Sequence, residues 1–437
     1  MKATKIFMMA ALALTFAACS NNDDNDFAQQ PTEQPANDEI TITATVSSDD
    51  ATTRALSIDG DNIASTWETT DEFAILYNNG TEDTKSIATV DKIDGTTVTI
   101  TFTIPASLAN NTACTIVYPA SAANTANTGA DVAAALATQD GTIGNCPEVR
   151  VGTATINKDN HSLSSVTKLE AQNAIFKFTL SGQSIDATHP LVIKKGENEV
   201  VTTVTPTSST TSVYVAMPPA ASSTYRFIVN TDDNKYIKSG TAAITAGKYY
   251  QTTLDLSTAR YPLALSSATV DDLGSVIGAD GKIYLNITAA TGASPATTAV
   301  AMIAYKSETA GESLAIQLNA SPESKNWNDA KTYASGLTAV PGGTWRLPSK
   351  ADWQNMFVGC AKSGDAGAGN TMIPIAGFKE KIGATGITWK STGYWSSTGG
   401  GSKAWRVQVY LSGSYANANF AEGGTSYPCC VLGCLAF

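Results

Sequence analysis

The chain has 437 residues, a formal net charge of −11 and only 15% charged residues. That length implies two or three domains, and the abundance of Thr, Ser, Ala, Asn and Gly favours strands and turns over long helices. The acidic balance argues against nucleic acid or an anionic membrane surface as partner, because both need a basic patch.

In chain order, Lys2 and Lys5 precede the apolar run "IFMMAALALTFAA", which is too short to span a bilayer comfortably. Small residues then lead into Cys19. The "FAAC" stretch (residues 16–19) resembles a bacterial lipobox, in which the thiol accepts a diacylglycerol and becomes the new N-terminus. An ordinary secretory signal with an incidental cysteine is the alternative. Residues 20–39, "SNNDDNDFAQQPTEQPANDE", bury almost nothing apolar and read as a disordered tether. The acidic residues after Cys19 look like the surface-export signal of some Gram-negative lipoproteins.

Residues 40–54 carry a strand and a loop. "EITITATV" alternates Ile40, Ile42, Ala44 and Val46 with polar residues, the period of a half-buried strand. Between Lys5 and Lys85 the one basic residue is Arg54, in "SSDDATTRALSIDG". A soft Thr-rich loop with a single cation suits a trypsin-like protease.

Strand signals continue over residues 55–165. They run through Trp67, Phe73, Ile75 and Tyr77, then "TTVTITFTIP", ending at Pro105, then "TACTIVYPA". "ANTGADVAAALATQDG" reads as a short helix. Over residues 166–258 the alternation returns in "AIFKFTL", "SVYVAMPP", "TYRFIVN" and "GKYYQTTLDLS". Regular strands separated by Gly, Pro, Asp and Asn predict β-sandwiches. His161 and His189 have no ligand-spaced companion and read as surface loop residues.

The layout of anchor, tether, removable strand and solitary Arg resembles the fimbrillin family, subunits of protease-assembled (type V) pili. "L-x-x-x-N-A-x-F-K-F", "VYVAMPP" and "AGKYYQTTLDLS" are similar to the second half of those subunits. The resemblance covers about residues 40–258 and implies two tandem β-sandwich pilin domains. It also implies that an arginine-specific protease cuts between Arg54 and Ala55, removing the lipidated N-terminal strand. Another subunit's extended segment would then fill the groove by donor-strand exchange.

Residues 259–437 have a different texture. "NWNDAKTYASGL" places Trp327, Ala330, Tyr333 and Ala334 at helical spacing, and Ser349 reads as the N-cap of a second helix near Lys350. W-x-x-A, W-R-L-P-S-x-x-x-W and Y-W-S-S-T together resemble the C-type-lectin-like modules of bacterial surface proteins, which implies an α+β adhesin module. Trp327-Asn328-Asp329 matches a lectin calcium tripeptide, but here it opens a helix and lacks partner oxygen ligands. No metal and no cofactor are expected. Lectin-like modules often tie the first helix to the last strand by a disulfide, yet Ala334 stands where that cysteine is expected. Trp345, Trp353, Trp395 and Trp405 read as core. The ligand surface is placed at Trp389, Tyr394, Tyr415 and Tyr427, among adaptable polar neighbours.

After Cys19 the cysteines are Cys114 and Cys146, then Cys360, Cys429, Cys430 and Cys434. Each group is even in an exported protein, which permits disulfides, and the last four allow three pairings. A formylglycine-generating enzyme of lectin-like fold would use paired cysteines, but the C-terminal module has no histidine and no assembled acid, base and nucleophile. The final "VLGCLAF" reads as a buried strand with no free segment to donate. The expected function is therefore a tip fimbrial subunit that accepts a donor strand and mediates attachment through a glycan or protein ligand. It would be exported to the outer membrane and cell surface, touching the membrane only through its lipid before processing. The alternative is a surface-anchored glycan-binding lipoprotein that does not polymerise.

Overall fold

The computed structural model describes residues 39–47, 57–59, 62–64, 67–127, 129–361, 373–386, 392–412 and 415–437. The chain is mainly β, and among the described residues no helix is long and apolar enough to cross a membrane.

In the first domain β1 (Glu39–Ser47), β2 (Glu72–Asn78), β3 (Asp83–Asp94), β4 (Thr97–Pro105), β5 (Thr112–Tyr118), β6 (Arg150–Asn157) and β7 (Ser162–Ser164) form one antiparallel sheet. Its order is β1-β4-β3-β2-β5-β6-β7. Alternating Thr and aliphatic residues explain the arrangement, since β-branched side chains suit a pleated surface with one face buried. The inward set includes Ile42, Phe73, Ile75, Ile100, Phe102 and Ile156. Trp67 closes this core, its ring 5.2 Å from those of both Phe73 and Tyr118. The sheet curls until the outer side of β1 meets the turn before β7. The Ala-rich stretch does form a short helix, Val132–Leu136, capped by Asp131.

The second domain is a sandwich of two sheets. Thr138–Gln139, Glu199–Val204, Leu191–Lys195, Ala220–Asn230 and Lys235–Ile244 make one layer in that order, and Ser212–Met217, Ala174–Ser181 and Tyr249–Asp255 the other. Ala174–Ser181 and Tyr249–Asp255 pair in parallel, which the strand patterns do not announce. Phe178 meets Phe227 across the layers, edge to face at 5.1 Å.

The third domain is α+β. A seven-stranded sheet holds the final strand, Cys434–Ala436, between Leu314–Gln317 and Thr344–Arg346. A four-stranded sheet runs in the order Ile373–Pro374, Tyr415–Gly424, Lys403–Ser412, Gly393–Gly400. Helix α1 (Trp327–Ser335) starts where the sequence predicts, with Asn326 as N-cap accepting from the Asp329 N–H at 3.0 Å. Helix α2 (Lys350–Gly359) begins at Ser349 in a capping box with Asp352. A third helix, α3 (Ala376–Ala384), buries Phe378 and Ile382 one turn apart. Trp353, Trp395 and Trp345 are core residues, whereas Trp405 is half-buried beneath the Lys350 ammonium.

Asp352 joins the cap to the sheet. Burial pushes its carboxyl up, but hydrogen bonds from Arg346 and from Ser349 outweigh that and hold it below the usual carboxylate range. Ser349→Ala is expected to lower module stability by about 1 kcal/mol, the usual value of an N-cap, measured as a shift in urea midpoint. No shift would show that Asp352 and Arg346 hold the helix start without the hydroxyl.

The second and third domains meet at a buried charge cluster. Asp271 and Asp272, on the turn after Thr269, are 6% and 0% exposed. From the second domain, Arg226 and Lys194 pair with the Asp271 carboxylate, and Lys235 donates to its carbonyl. Arg260, Tyr261 and the Thr269 N–H converge on Asp272.

Candidate functional site

Two surfaces have the geometry to recognise another molecule. The first is the seat of β1. Its nine residues pair with β4 without a register break, Glu39 opposite Pro105 through Ser47 opposite Thr97. Ile42, Ala44 and Val46 point inward at 0%, 7% and 1% exposure. Among the described residues, β1 is held more sparsely on its other side. The Thr43 N–H donates to the His161 carbonyl at 3.1 Å, and the Leu169 N–H donates to the Ser47 carbonyl at 2.8 Å. The His161 ring is exposed, as expected for a loop histidine, with Nδ1 3.1 Å from the Thr41 carbonyl.

This asymmetry has a chemical consequence. A strand with a full ladder along one edge and isolated bonds along the other leaves, on departure, a row of unpaired β4 amides and carbonyls above an apolar slot. Such an edge binds an incoming strand through main-chain bonds and selects it through alternate side chains. Arg54, Ala55 and Cys19 lie outside the described residues.

The second surface is on the four-stranded sheet, on the face where Trp395 and Ala404 are buried in a cluster with Trp327, beyond that covered end. Along Lys403–Ser412, Val407 and Val409 enter the core, which leaves Arg406, Gln408 and Tyr410 on the opposite face. Register places Gln408 beside Asn419 and Tyr410 beside Asn417. Tyr410 is 42% exposed. Arg406 Nε and Asn419 Oδ1 are buried with no hydrogen-bond partner among the described residues. Gly393 keeps the face shallow, since a Cβ there would lie 3.3 Å from Gln408 Oε1 and 3.8 Å from Arg406 Cδ. Burial pushes the neighbouring Cys429 thiol up, opposed by a hydrogen bond and the charge of Arg406. Amide, guanidinium and phenol groups on a flat face can hydrogen-bond hydroxyls and stack on a ring.

The structure does not gather the four aromatic residues that the sequence singles out. Tyr394 is 2% exposed and packs 6.1 Å from Trp353; it is a core residue, and its assignment to a ligand surface is corrected. Tyr427 is 65% exposed but lies against Gly424. Gly423, the neighbour that points to the other face, lies against Arg406. Tyr427 is thus outside the polar face. Tyr415 pairs with Ser412 at the hairpin end, and Trp389 lies outside the described residues. The disulfide expectation is also corrected, because Cys114, Cys146, Cys360, Cys429, Cys430 and Cys434 are all free thiols. Cys114 and Cys146 belong to different core clusters, and the Cys360 thiol faces the Ala304 carbonyl at 3.3 Å. Among the described residues no group of three or more His, Cys, Asp or Glu is arranged to hold a metal. Arg406, Gln408, Tyr410, Asn417 and Asn419 were legible all along as the polar half of "KAWRVQVYL" and "YANANF".

No protein-family model matches the chain, and no curated protein matches it. Among solved structures, it is similar to a fimbrial protein from Bacteroides ovatus at 11% identity and a TM-score of 0.27, covering 92% of this chain and 100% of that one. It is also similar to a fimbrial assembly protein from Parabacteroides distasonis, at 11% identity and a TM-score of 0.26, over 49% of this chain and 90% of that one. A C-terminally truncated tip fimbrial protein, Mfa3 from Porphyromonas gingivalis, matches at 12% identity and a TM-score of 0.21, over 47% and 81% of the two chains.

Proposed function

We propose that this protein is a terminal fimbrial subunit with an adhesive C-terminal module, delivered to the cell surface as a lipoprotein anchored through Cys19. In this reading β1 is a lid. An arginine-specific protease cuts between Arg54 and Ala55, β1 leaves with the lipid, and a strand from a neighbouring subunit takes its place on β4. The observation that carries the reading is the seat of β1, a continuous nine-residue ladder covering an apolar slot and followed by the segment with the lone Arg54. The tip position is part of this proposal, and it sits beside the finding that Cys434–Ala436 pairs on both sides inside the sheet of the third domain.

Mixing the processed chain with a polymerising stalk subunit tests this by electron microscopy with a labelled head. Label at filament ends is expected, and label along shafts would remove the tip assignment. The polar face around Arg406 and Asn419 also supports the second reading, an anchored glycan-binding lipoprotein. N-terminal sequencing of surface-shed protein separates the two: a start at Ala55 supports the fimbrial subunit, and retained residues 20–54 support the anchored form.

The ligand of the head in either reading is a glycan or a protein that meets the polar face. On a glycan array the full chain is expected to bind a defined subset, and Asn417→Ala with Tyr410→Ala to lose at least tenfold in apparent affinity. Unchanged binding by that double variant would move the ligand surface elsewhere on the module.

A further inference from the structure

A cavity of ≈ 500 Å³ opens in the first domain where the segment after β5 folds back beneath the sheet. Four carboxylate residues line it: Asp71, Glu72, Asp131 and Glu148. Among the described residues no lysine or arginine does. The walls between them include Pro119, Ala134 and Pro147. Such a volume is typical of small-molecule pockets, which run from roughly 300 to 1,000 Å³.

The carboxylates differ in depth and commitment. Asp71 is 1% exposed and already used, with Oδ1 accepting from Tyr118 at 3.1 Å and Oδ2 from the Glu68 N–H at 2.8 Å. Glu72 is exposed at the mouth, and Asp131 caps the helix Val132–Leu136 through one oxygen. Glu148 is the unusual member. Its side chain is 10% exposed, and Oε1 accepts from Arg150 Nε at 2.8 Å. Its other oxygen, Oε2, is buried with no hydrogen-bond partner among the described residues.

We propose that this cavity binds a small linear diamine, with one ammonium on Glu148 Oε2 and the other at the mouth near Glu72 and Asp131. A buried carboxylate oxygen without a donor is costly, and a cation that brings its own hydrogens relieves it most directly. An ammonium carries three donors and no acceptor, so it suits a pocket whose charged lining groups are all acceptors. The alkyl chain matches the Pro and Ala walls, and an anion would face uncompensated carboxylates. Burial pushes the Glu148 carboxyl up against the opposing pull of Arg150, consistent with a group that gains from an added positive neighbour.

Calorimetric titration of the full chain with 1,4-diaminobutane tests the proposal, with butylamine and 1,4-butanediol as controls. Saturable binding of the diamine is expected, weaker binding of butylamine and none of the diol. Glu148→Gln should weaken both amines at least tenfold. Because that substitution removes the partner of Arg150, a second variant is needed: Glu72→Gln, at the exposed mouth, should weaken the diamine several-fold and leave butylamine unchanged. Absence of saturable binding at millimolar diamine overturns the site, as does equal diamine binding by wild type and Glu72→Gln together with binding of the diol.

Discussion

Release of β1 after cleavage at Arg54 should strip amide protection from β4 and destabilise the first domain. Ile42 and Val46 are almost fully buried, and burying two such side chains contributes roughly 3–6 kcal/mol. A domain of this kind is stable by about 5–15 kcal/mol in all, so loss of the strand removes a large share. Hydrogen exchange read by mass spectrometry on peptides covering Thr97–Pro105 measures it directly. Protection there should fall on release of β1 and return when a synthetic peptide of residues 39–47 is added. In the uncut chain, Ile42→Asp should mimic release, because it drives a charge into the apolar slot, whereas Thr45→Asp on the exposed side of the strand should not. Arg54→Ala should leave β1 seated whatever arginine-specific protease is added. If β4 stays protected after β1 has gone, or ignores the peptide, then β1 is not the cover of this edge and the assembly mechanism fails with it.

The strand-rich build was readable because one-sided burial writes a period of two into the sequence. Ile42, Ala44 and Val46 alternate with threonines, and they sit on the buried face for that reason. The start of α2 was readable because Ser349 and Asp352 are local chemistry. What escaped was whatever depends on distant partners. Tyr394 stands in "STGYWSST", a polar context that reads as a loop, yet Gly393–Gly400 is buried on both faces at Tyr394 and Trp395, and alternation cannot signal that. Helix α3 has an apolar contact pair, Phe378 and Ile382, but its glycines lower the local propensity. Only the fold brings Arg226 and Lys194 to Asp271. The polar face of the third domain is written in the alternation of Arg406, Gln408 and Tyr410 with Val407 and Val409, a pattern that exposed aromatic residues do not mark.

Loss of the Asp272 carboxylate is expected to be among the most damaging single changes outside the apolar cores. Its side chain is fully buried and accepts from Arg260 Nε, the Tyr261 hydroxyl and the Thr269 N–H, each at 2.7 Å. Asp272→Ala leaves the Arg260 guanidinium without its counter-charge, and breaking a buried pair from one side costs about 3–5 kcal/mol. Replacing both partners with apolar residues, Asp272→Leu with Arg260→Met, should cost less than the single change, because no charge is stranded. Urea unfolding of the full chain gives both values; a single-variant loss below about 1 kcal/mol, the range of an exposed pair, would mean that water screens the pair. The pH dependence follows from the same contacts. Burial pushes the Asp272 carboxyl up, but hydrogen bonds from Arg260, Thr269 and Tyr261 outweigh it and hold it below the usual carboxylate range. Its stabilisation is therefore fully present above the ordinary carboxylate pKa and is lost as the pH falls through the depressed folded value. The gap in stability between wild type and Asp272→Asn should accordingly close as the pH drops through that range, since a protonated acid and an amide then carry the same charge. A gap that stays constant down to acid denaturation would place the stabilisation in packing and take it away from the ion pair.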